Sequence, residues 1–304
     1  MSESNPVVSI IMNCHNGDRF LVEAIDSIYA QTYNDWEIVF WDNASTDRSP
    51  EIAKSYDQRL KYYSTNSITS LGEARNSALQ KASGKFIAFL DCDDIYLADK
   101  LDKQVHLMES GNYALCYGSV LIIDESGKKI RNHFVRNKSG YLINQLLRKY
   151  EINMQSVMIK KAVIDNERLE FETHLKYSPD FNLFMNIAAK YPIGVIGDFL
   201  AKYRVCSDSL SKKMLHLVSS EIKFTLDSIS KKYSFLTEKH NKALSLAYAK
   251  LNYYDAIYLI DKGSLKEARK KLIHIIWFSP KYLALLLLTY TWFSKERILR
   301  LLRR

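Results

Sequence analysis

Along the first ninety positions, apolar residues recur in two alternating rhythms. Four runs, VVSIIM (7–12), EIVFWD (37–42), KYYS (61–64) and KFIAFLD (85–91), are short and rich in β-branched and aromatic residues. That pattern predicts strands buried on both faces. Between them, FLVEAIDSIYAQ (20–31) sets Leu21, Ala24, Ile25 and Ile28 at helical spacing. STDRSPEIAKSY (45–56) opens with Ser and Thr as an N-cap signal, and LGEARNSALQKA (71–82) is a third helical stretch. Strand–helix alternation of this kind predicts a largely parallel sheet covered by helices.

After Asp94 the rhythm changes. ALCYGSVLIID and KIRNHFV flank the turn ESGK and predict a hairpin, QSVMIKK (155–161) and IGVIGDFLAKYRV (193–205) predict strands, and DFNLFMNIAAKY (180–191) predicts a helix. Beyond about residue 215 only helical periodicity remains. There GSLKEARKKLIHIIWFSP (263–280) resembles half of a tetratricopeptide-type helix pair.

Charge divides the chain at a similar place. Residues 1–210 carry 24 Lys+Arg against 27 Asp+Glu, whereas residues 211–304 carry 19 against 7. The basic excess therefore lies wholly in the last third and suits an anionic partner. The four cysteines (Cys14, Cys92, Cys116, Cys206) form no C-x-x-C pair and no metal-ligand spacing, and read as free thiols in a reducing compartment. The opening MSESNP is short and polar and predicts no signal peptide.

Candidate chemistry gathers where strands end, since ligands of α/β sheets bind beyond the carboxyl ends of the strands. FIAFLDCDD (86–94) runs from an apolar strand into Asp91, Asp93 and Asp94. If the strand continues, Asp91 and Asp93 share one face and suit a hard divalent cation completed by phosphate oxygens. The alternative is an acidic loop capping the following helix, YLADKLDKQVHLME (96–109).

The linked segments NCHNGD, LVEAIDSIYAQTYNDWEIVFWDNASTD and LGEARNSALQKASGKFIAFLDCDD resemble family 2 inverting glycosyltransferases with the GT-A fold. The likeness spans about residues 7–211 and runs through Asn16, Ser27, Gln31, Thr32, Tyr33, Glu37, Asp42, Ser45, Thr46, Asp47, Gly72, Ala74, Arg75, Asn76, Ala82, Gly84 and the D-x-D pair. It implies a Rossmann-like, mostly parallel sheet in a catalytic domain, 1–211, followed by an α-helical extension, 212–304. It also implies roles. Asn16 belongs to the nucleotide site, Asp42 accepts a hydrogen bond from the nucleotide base, and Arg75 lies near the nucleoside. Asp91 faces the ribose or the metal, and Asp93 is the main Mn2+ or Mg2+ ligand. Asp180, in YSPDFNLFMNIA, matches the catalytic base, with Pro179 where the family usually has Glu and with Glu172 as the substitute. In YRVCSDSLSKK, Tyr203, Arg204, Ser209 and Ser211 match a segment near the diphosphate, while Cys206 replaces the usual His and His15 reads as a pocket-wall residue.

These matches imply metal-dependent inverting transfer from a nucleotide sugar, UDP-linked by preference, to a glycan or lipid-linked hydroxyl. The alternative is a non-catalytic nucleotide-sugar-binding or membrane-assembly subunit. A sugar nucleotidyltransferase would need a Gly-rich loop after the first strand, where NCHNGD has a single Gly, and a dinucleotide oxidoreductase would need G-x-G-x-x-G. In the tail, IHIIWFSPKYLALLLLTYTWF (273–293) is apolar but broken by Ser279-Pro280-Lys281, and KERILRLLRR (295–304) places arginines opposite leucines on a helical wheel. These features predict in-plane binding at the cytoplasmic face of a membrane; a spanning segment, a soluble helical pack and a homodimer contact are the alternatives. Nucleic acid is disfavoured, because the basic residues are interleaved with aliphatic ones.

Overall fold

The computed structural model describes residues 5–207, 209 and 213–291. These form two compact units, one of 5–142 with 151–207 and one of 143–150 with 209 and 213–291. The expected boundary at 211/212, Ser211 and the basic segment 295–304 lie outside the described residues.

The first unit opens with β1 (Val8–Cys14), α1 (Asp18–Tyr29), β2 (Trp36–Asp42), α2 (Ser49–Lys54), β3 (Leu60–Ser64), α3 (Leu71–Leu79) and β4 (Phe86–Phe89). It continues through β5 (Ile95–Tyr96), α4 (Lys100–Ser110), β6 (Leu115–Ile123) and β7 (Lys129–His133). The chain then contributes α5 (Ile143–Arg148) to the second unit and returns for β8 (Met158–Lys160), α6 (Lys161–Glu167), α7 (Pro179–Lys190) and β9 (Ile193–Arg204). One nine-stranded sheet has the order β3-β2-β1-β4-β8-β6-β9-β5, with β7 paired to β6. Its first four strands are all parallel. Beyond them the largely parallel pattern gives way: β8 pairs antiparallel with both β4 and β6, and β5 pairs antiparallel with β9, while β6 and β9 run parallel. The second half is therefore mixed.

β1, β2 and β4 are buried almost throughout, and Val8, Ile10, Met12, Ile38, Phe40 and Phe86 form their core with Leu21, Ile25 and Ile28 of α1. From β1 the chain builds outward to β2 and β3, then crosses back to β4 on the other side of β1. That reversal leaves a crevice at the carboxyl ends of β1 and β4, where α/β sheets bind ligands.

Several residues that carry the family likeness turn out to brace the frame behind this crevice, with Glu37 at the amino end of β2 and Gly84 just before β4. Gln31, just past α1, donates to the carbonyls of Ser27 (3.0 Å) and Leu97 (2.8 Å) and accepts from the Leu101 amide (3.1 Å). Ser27 Oγ accepts from the Tyr96 amide (3.0 Å). Glu37 accepts from Ser9 Oγ (2.5 Å) and from the Ser83 amide (2.9 Å), tying β1, β2 and the β4 approach together. Gly84 sits so close to β1 that a Cβ would stand 2.5 Å from the Ser9 amide nitrogen. Gln31→Ala would leave a buried amide and two carbonyls with one partner fewer each, and is expected to cost about 2–3 kcal/mol. The urea midpoint would fall with an unchanged slope.

In the second unit, α5 joins α8 (Val218–Lys232), α9 (Phe235–Lys239), α10 (Asn241–Asp261), α11 (Leu265–Ile273) and α12 (Pro280–Leu288). Gly263, at φ +79°, makes the turn from α10 to α11, and α11 lies in the stretch 263–280 that reads as half of a helix pair. Ala256, Ile260, Ala268, Leu272, Ile275, Tyr282 and Leu285 form this unit's own core. No helix among the described residues is long and apolar enough to cross a membrane.

Candidate active site

At the ends of β1, β2 and β3, the chain builds a polar shelf. Asp42, the last residue of β2, is buried; Oδ1 accepts from the Ser45 amide (3.0 Å) and Oδ2 from the Tyr62 hydroxyl (2.6 Å). Each carboxylate oxygen keeps a further lone pair for another donor. Burial and the Asp42 charge together push the Tyr62 phenol up to about 12. Asn16, in the left-handed region at φ +55°, accepts from the Thr46 amide (2.8 Å) through Oδ1. Asn16 and Asp42 thus hold the same 45–46 loop from two sides. His15 Nδ1 lies 2.9 Å from the Asn43 carbonyl, as a wall of this shelf. Asp47 accepts from the amides of Asp18 (2.9 Å) and Ser49 (3.0 Å), so it, rather than Ser45 or Thr46, serves the starts of α1 and α2.

The aspartate run leaves the strand earlier than the pattern suggested. The ladder ends at Phe89, where β1 pairing stops, and the Asp94 amide donates to the Asp91 carbonyl (3.1 Å) to close a tight turn. The side chains of Asp91 and Asp93 are therefore brought together by a turn, not by strand alternation. Asp91 Oδ1 takes a salt bridge from Arg75 (3.2 Å), and Oδ2 takes a hydrogen bond from Gln155 Nε2 (2.7 Å). Asp93 is half-buried, with Cys206 Sγ 3.7 Å from Oδ2. Burial and then the Asp91 charge push its carboxyl up to about 6. Asp94 is fully buried; Oδ1 accepts from the Arg204 amide (2.6 Å), Oδ2 has no protein partner, and burial raises its carboxyl far above the usual range. Helix α4 starts without a side-chain cap, so the aspartates do not serve as its cap.

Arg204 lies under this turn. Its Nε donates to the Asp93 carbonyl (2.8 Å), Nη1 reaches the carbonyls of Asp124 and Glu125 (3.4 and 3.3 Å), and Nη2 pairs with Glu23 (2.5 Å). The guanidinium also stacks over Phe20 at 4.3 Å. All three nitrogens are engaged by the protein, so Arg204 ties the aspartate turn to β9 and α1 instead of presenting a fork to a phosphate.

Asp180 stands in the first turn of α7, behind Pro179 at the first helical position, where a missing N–H costs nothing. Burial raises its carboxyl above the ordinary Asp value against the opposing pull of Arg75, and the Asp91 charge adds to the rise. Asp91, Arg75 and Asp180 thus share one electrostatic neighbourhood. The loop leading to Asp180 is fixed to α3: Asn76 accepts from the Phe171 amide (2.8 Å) and donates to its carbonyl (2.9 Å). A Cβ at Gly72 would come within 3.0 Å of the Glu172 carbonyl, so glycine permits that approach. Glu172 itself turns toward His174 (3.4 Å) and is half-buried.

Two partners escaped the sequence. Gln155, in the 3-10 turn Met154–Ser156, clamps Asp91 twice, accepting from its amide (3.0 Å) as well as donating to its carboxylate. Only a lone Gln before the SVMIKK run hinted at it. Gln155→Ala is expected to lower kcat/KM about tenfold, the equivalent of one charge-assisted hydrogen bond. Steady-state kinetics read this. Second, the Cys14 and Cys92 thiols meet below Gly17, where a Cβ would stand 2.9 and 2.6 Å from the two sulfurs. All four cysteines are free.

A parallel half-sheet whose β4 runs into a D-x-D turn, beside an aspartate-bearing helix, is the arrangement of a GT-A glycosyltransferase. Residues 9–164 match the family described as Glycosyl transferase family 2, so the chain belongs to that family and is a glycosyltransferase. It is 32% identical over 209 residues to WfgD of Escherichia coli, a UDP-Glc:alpha-D-GlcNAc-diphosphoundecaprenol beta-1,3-glucosyltransferase, covering 67% of this chain and 79% of WfgD. It is 33% identical over 200 residues to an uncharacterized glycosyltransferase of Rickettsia felis, covering 65% of this chain but only 33% of that longer protein. Among solved structures, residues 1–349 of S. aureus TarS with UDP-GlcNAc share the fold at TM-score 0.60 and 17% identity, over 87% of each chain. The mannosyltransferase PcManGT of Pyrobaculum calidifontis, in complex with GDP-Man and Mn2+, does so at TM-score 0.61 and 19% identity, over 93% of this chain and 79% of its own.

Proposed function

We propose that this chain transfers a sugar from a UDP-sugar to a hydroxyl of a lipid-linked glycan acceptor, with inversion and with a divalent cation. The observation that carries the reading is the placement of the Asp91–Asp93 turn and Asp180 around Arg75 at the carboxyl end of β4. Asp42 and Asn16 would hold the nucleoside on the shelf, and Arg75 would steady Asp91 beside the ribose. Two half-buried carboxylates, with burial and then the Asp91 charge raising Asp93 to about 6, make a donor set suited to a hard cation. Asp93 would be the principal ligand of Mn2+ or Mg2+, with Asp91 beside it. Bound there, the ion would supply positive charge to the diphosphate leaving group, an effect of several kcal/mol.

In the transfer, the acceptor hydroxyl attacks the anomeric carbon from the face opposite the nucleotide. The new C–O bond forms as the bond to the UDP oxygen breaks, the configuration inverts, and the hydroxyl proton passes to Asp180. Pro179 leaves Asp180 in the first turn of α7, which supports catalysis over a binding-only subunit. The lipid-linked acceptor and the UDP donor are supported by the name of WfgD. Residence at the inner face of an anionic membrane is supported by the 19 basic against 7 acidic residues of 211–304. The test is a panel of UDP-, GDP- and dTDP-sugars offered with GlcNAc-diphosphoundecaprenol, with and without Mn2+. Mn2+-dependent transfer from a UDP-sugar is the expected result, and transfer confined to GDP- or dTDP-sugars would overturn the donor assignment.

A further inference from the structure

Helix α12 is apolar on two faces. Tyr282, Leu285, Leu286 and Thr289, at i, i+3, i+4 and i+7, face the second unit's own core. On a second face, turned by roughly 120° at 3.6 residues per turn, Leu283, Leu287 and, just past the helix end, Tyr290 recur at i, i+4 and i+7 and are 44%, 59% and 62% exposed. Just before the helix stand Trp277, 89% exposed, with Phe278 and Ile273 also exposed. A helix apolar all round normally has both faces covered, and a cluster of large exposed apolar side chains marks an interaction surface. Arg269 braces the end of α12, with Nε donating to Thr289 Oγ1 (3.2 Å) and the guanidinium stacked on Tyr290 at 3.9 Å. The exposed stripe is therefore held in place by packing beneath it.

We propose that Ile273, Trp277, Phe278, Leu283, Leu287 and Tyr290 form a membrane-contact face that inserts into the headgroup boundary of an anionic bilayer. Its surroundings favour lipid over protein. Between residues 256 and 291 there are six Lys/Arg (Lys262, Lys266, Arg269, Lys270, Lys271, Lys281) against Asp261 and Glu267. Lys266, Lys270 and Lys281 are exposed. Aromatic side chains beside lysines match the chemistry of the headgroup region, and each basic residue near an anionic leaflet adds to binding. Two copies joined through this face would bring like charges together, which disfavours a self-contact.

This inference rests on the proposed membrane residence but not on the catalytic roles, and its test keeps the two apart. The full chain is sedimented with vesicles of phosphatidylcholine alone and of phosphatidylcholine with phosphatidylglycerol. UDP release from the donor in vesicle-free buffer is measured in parallel. The wild type is expected to bind the anionic vesicles and to release them as salt rises. The double substitution Trp277→Ser with Leu287→Ser, at exposed positions, is expected to weaken that partition at least tenfold while leaving UDP release unchanged. Equal partition of wild type and variant, or no binding to anionic vesicles, overturns the proposal. A dimer by light scattering that the same variant disrupts, with no vesicle binding, overturns it in favour of a second copy.

Discussion

Asp93→Ala is expected to lower kcat/KM for sugar transfer by about a thousandfold, the effect of losing roughly 4 kcal/mol of charge stabilisation at the diphosphate. The argument starts from crowding. Burial, and then the charge of Asp91 held close by the Asp91–Asp94 turn, raise Asp93, whereas the Arg75 salt bridge goes to Asp91. Arg204, the other nearby cation, is engaged on Glu23 and backbone carbonyls. A cation between Asp91 and Asp93 would balance the excess negative charge and bring positive charge to the leaving group. Mn2+ titration by calorimetry should therefore lose its signal in the same variant. Because Asp94 and Arg204 rather than Asp93 latch the turn to β9, the fold should survive, as a near-native thermal midpoint would show.

Asp180→Asn is expected to slow transfer by about 10²–10⁴-fold while leaving the donor KM close to wild type, since the substitution removes the base but keeps the shape. The acid limb of the wild-type pH profile carries the same information. Burial and the Asp91 charge raise the Asp180 carboxyl despite Arg75, so the base gains its proton at a higher pH than an ordinary aspartate. Transfer should accordingly fall off on acidification earlier than a free Asp would dictate, and the Asn variant should lose that limb. A variant with wild-type kcat would remove Asp180 from the mechanism.

Much of this was legible in the residue pattern. The alternation over 7–91 corresponds to β1 through β4, and the D-x-D run does end a strand at the crevice. Asp180 was expected from the family likeness, and its place in the first turn of α7 was legible because that helix is a local feature. What the sequence hid was long-range. Ser27 and Gln31 read as family marks, but their work is to hold Tyr96, Leu97 and Leu101 about 70 positions away. Gln155 is 64 positions from the Asp91 it clamps, and no local periodicity encodes that pairing. The mixed half of the sheet depends on β8 and β5, of 3 and 2 residues, too short to show their direction. Arg204 looked free for phosphate because its partners, Glu23, Asp93, Asp124 and Glu125, come from three other segments.

The most direct test is UDP release from UDP-glucose by the wild-type chain with GlcNAc-diphosphoundecaprenol present, with Mn2+ and then with EDTA in excess. The account predicts release that depends on the acceptor and stops on chelation, with a newly glycosylated lipid as the product. Release that continues undiminished in EDTA would contradict the role of Asp91 and Asp93. Failure to glycosylate any acceptor from any UDP-sugar, although the donor binds, would contradict the transferase mechanism built on Asp180.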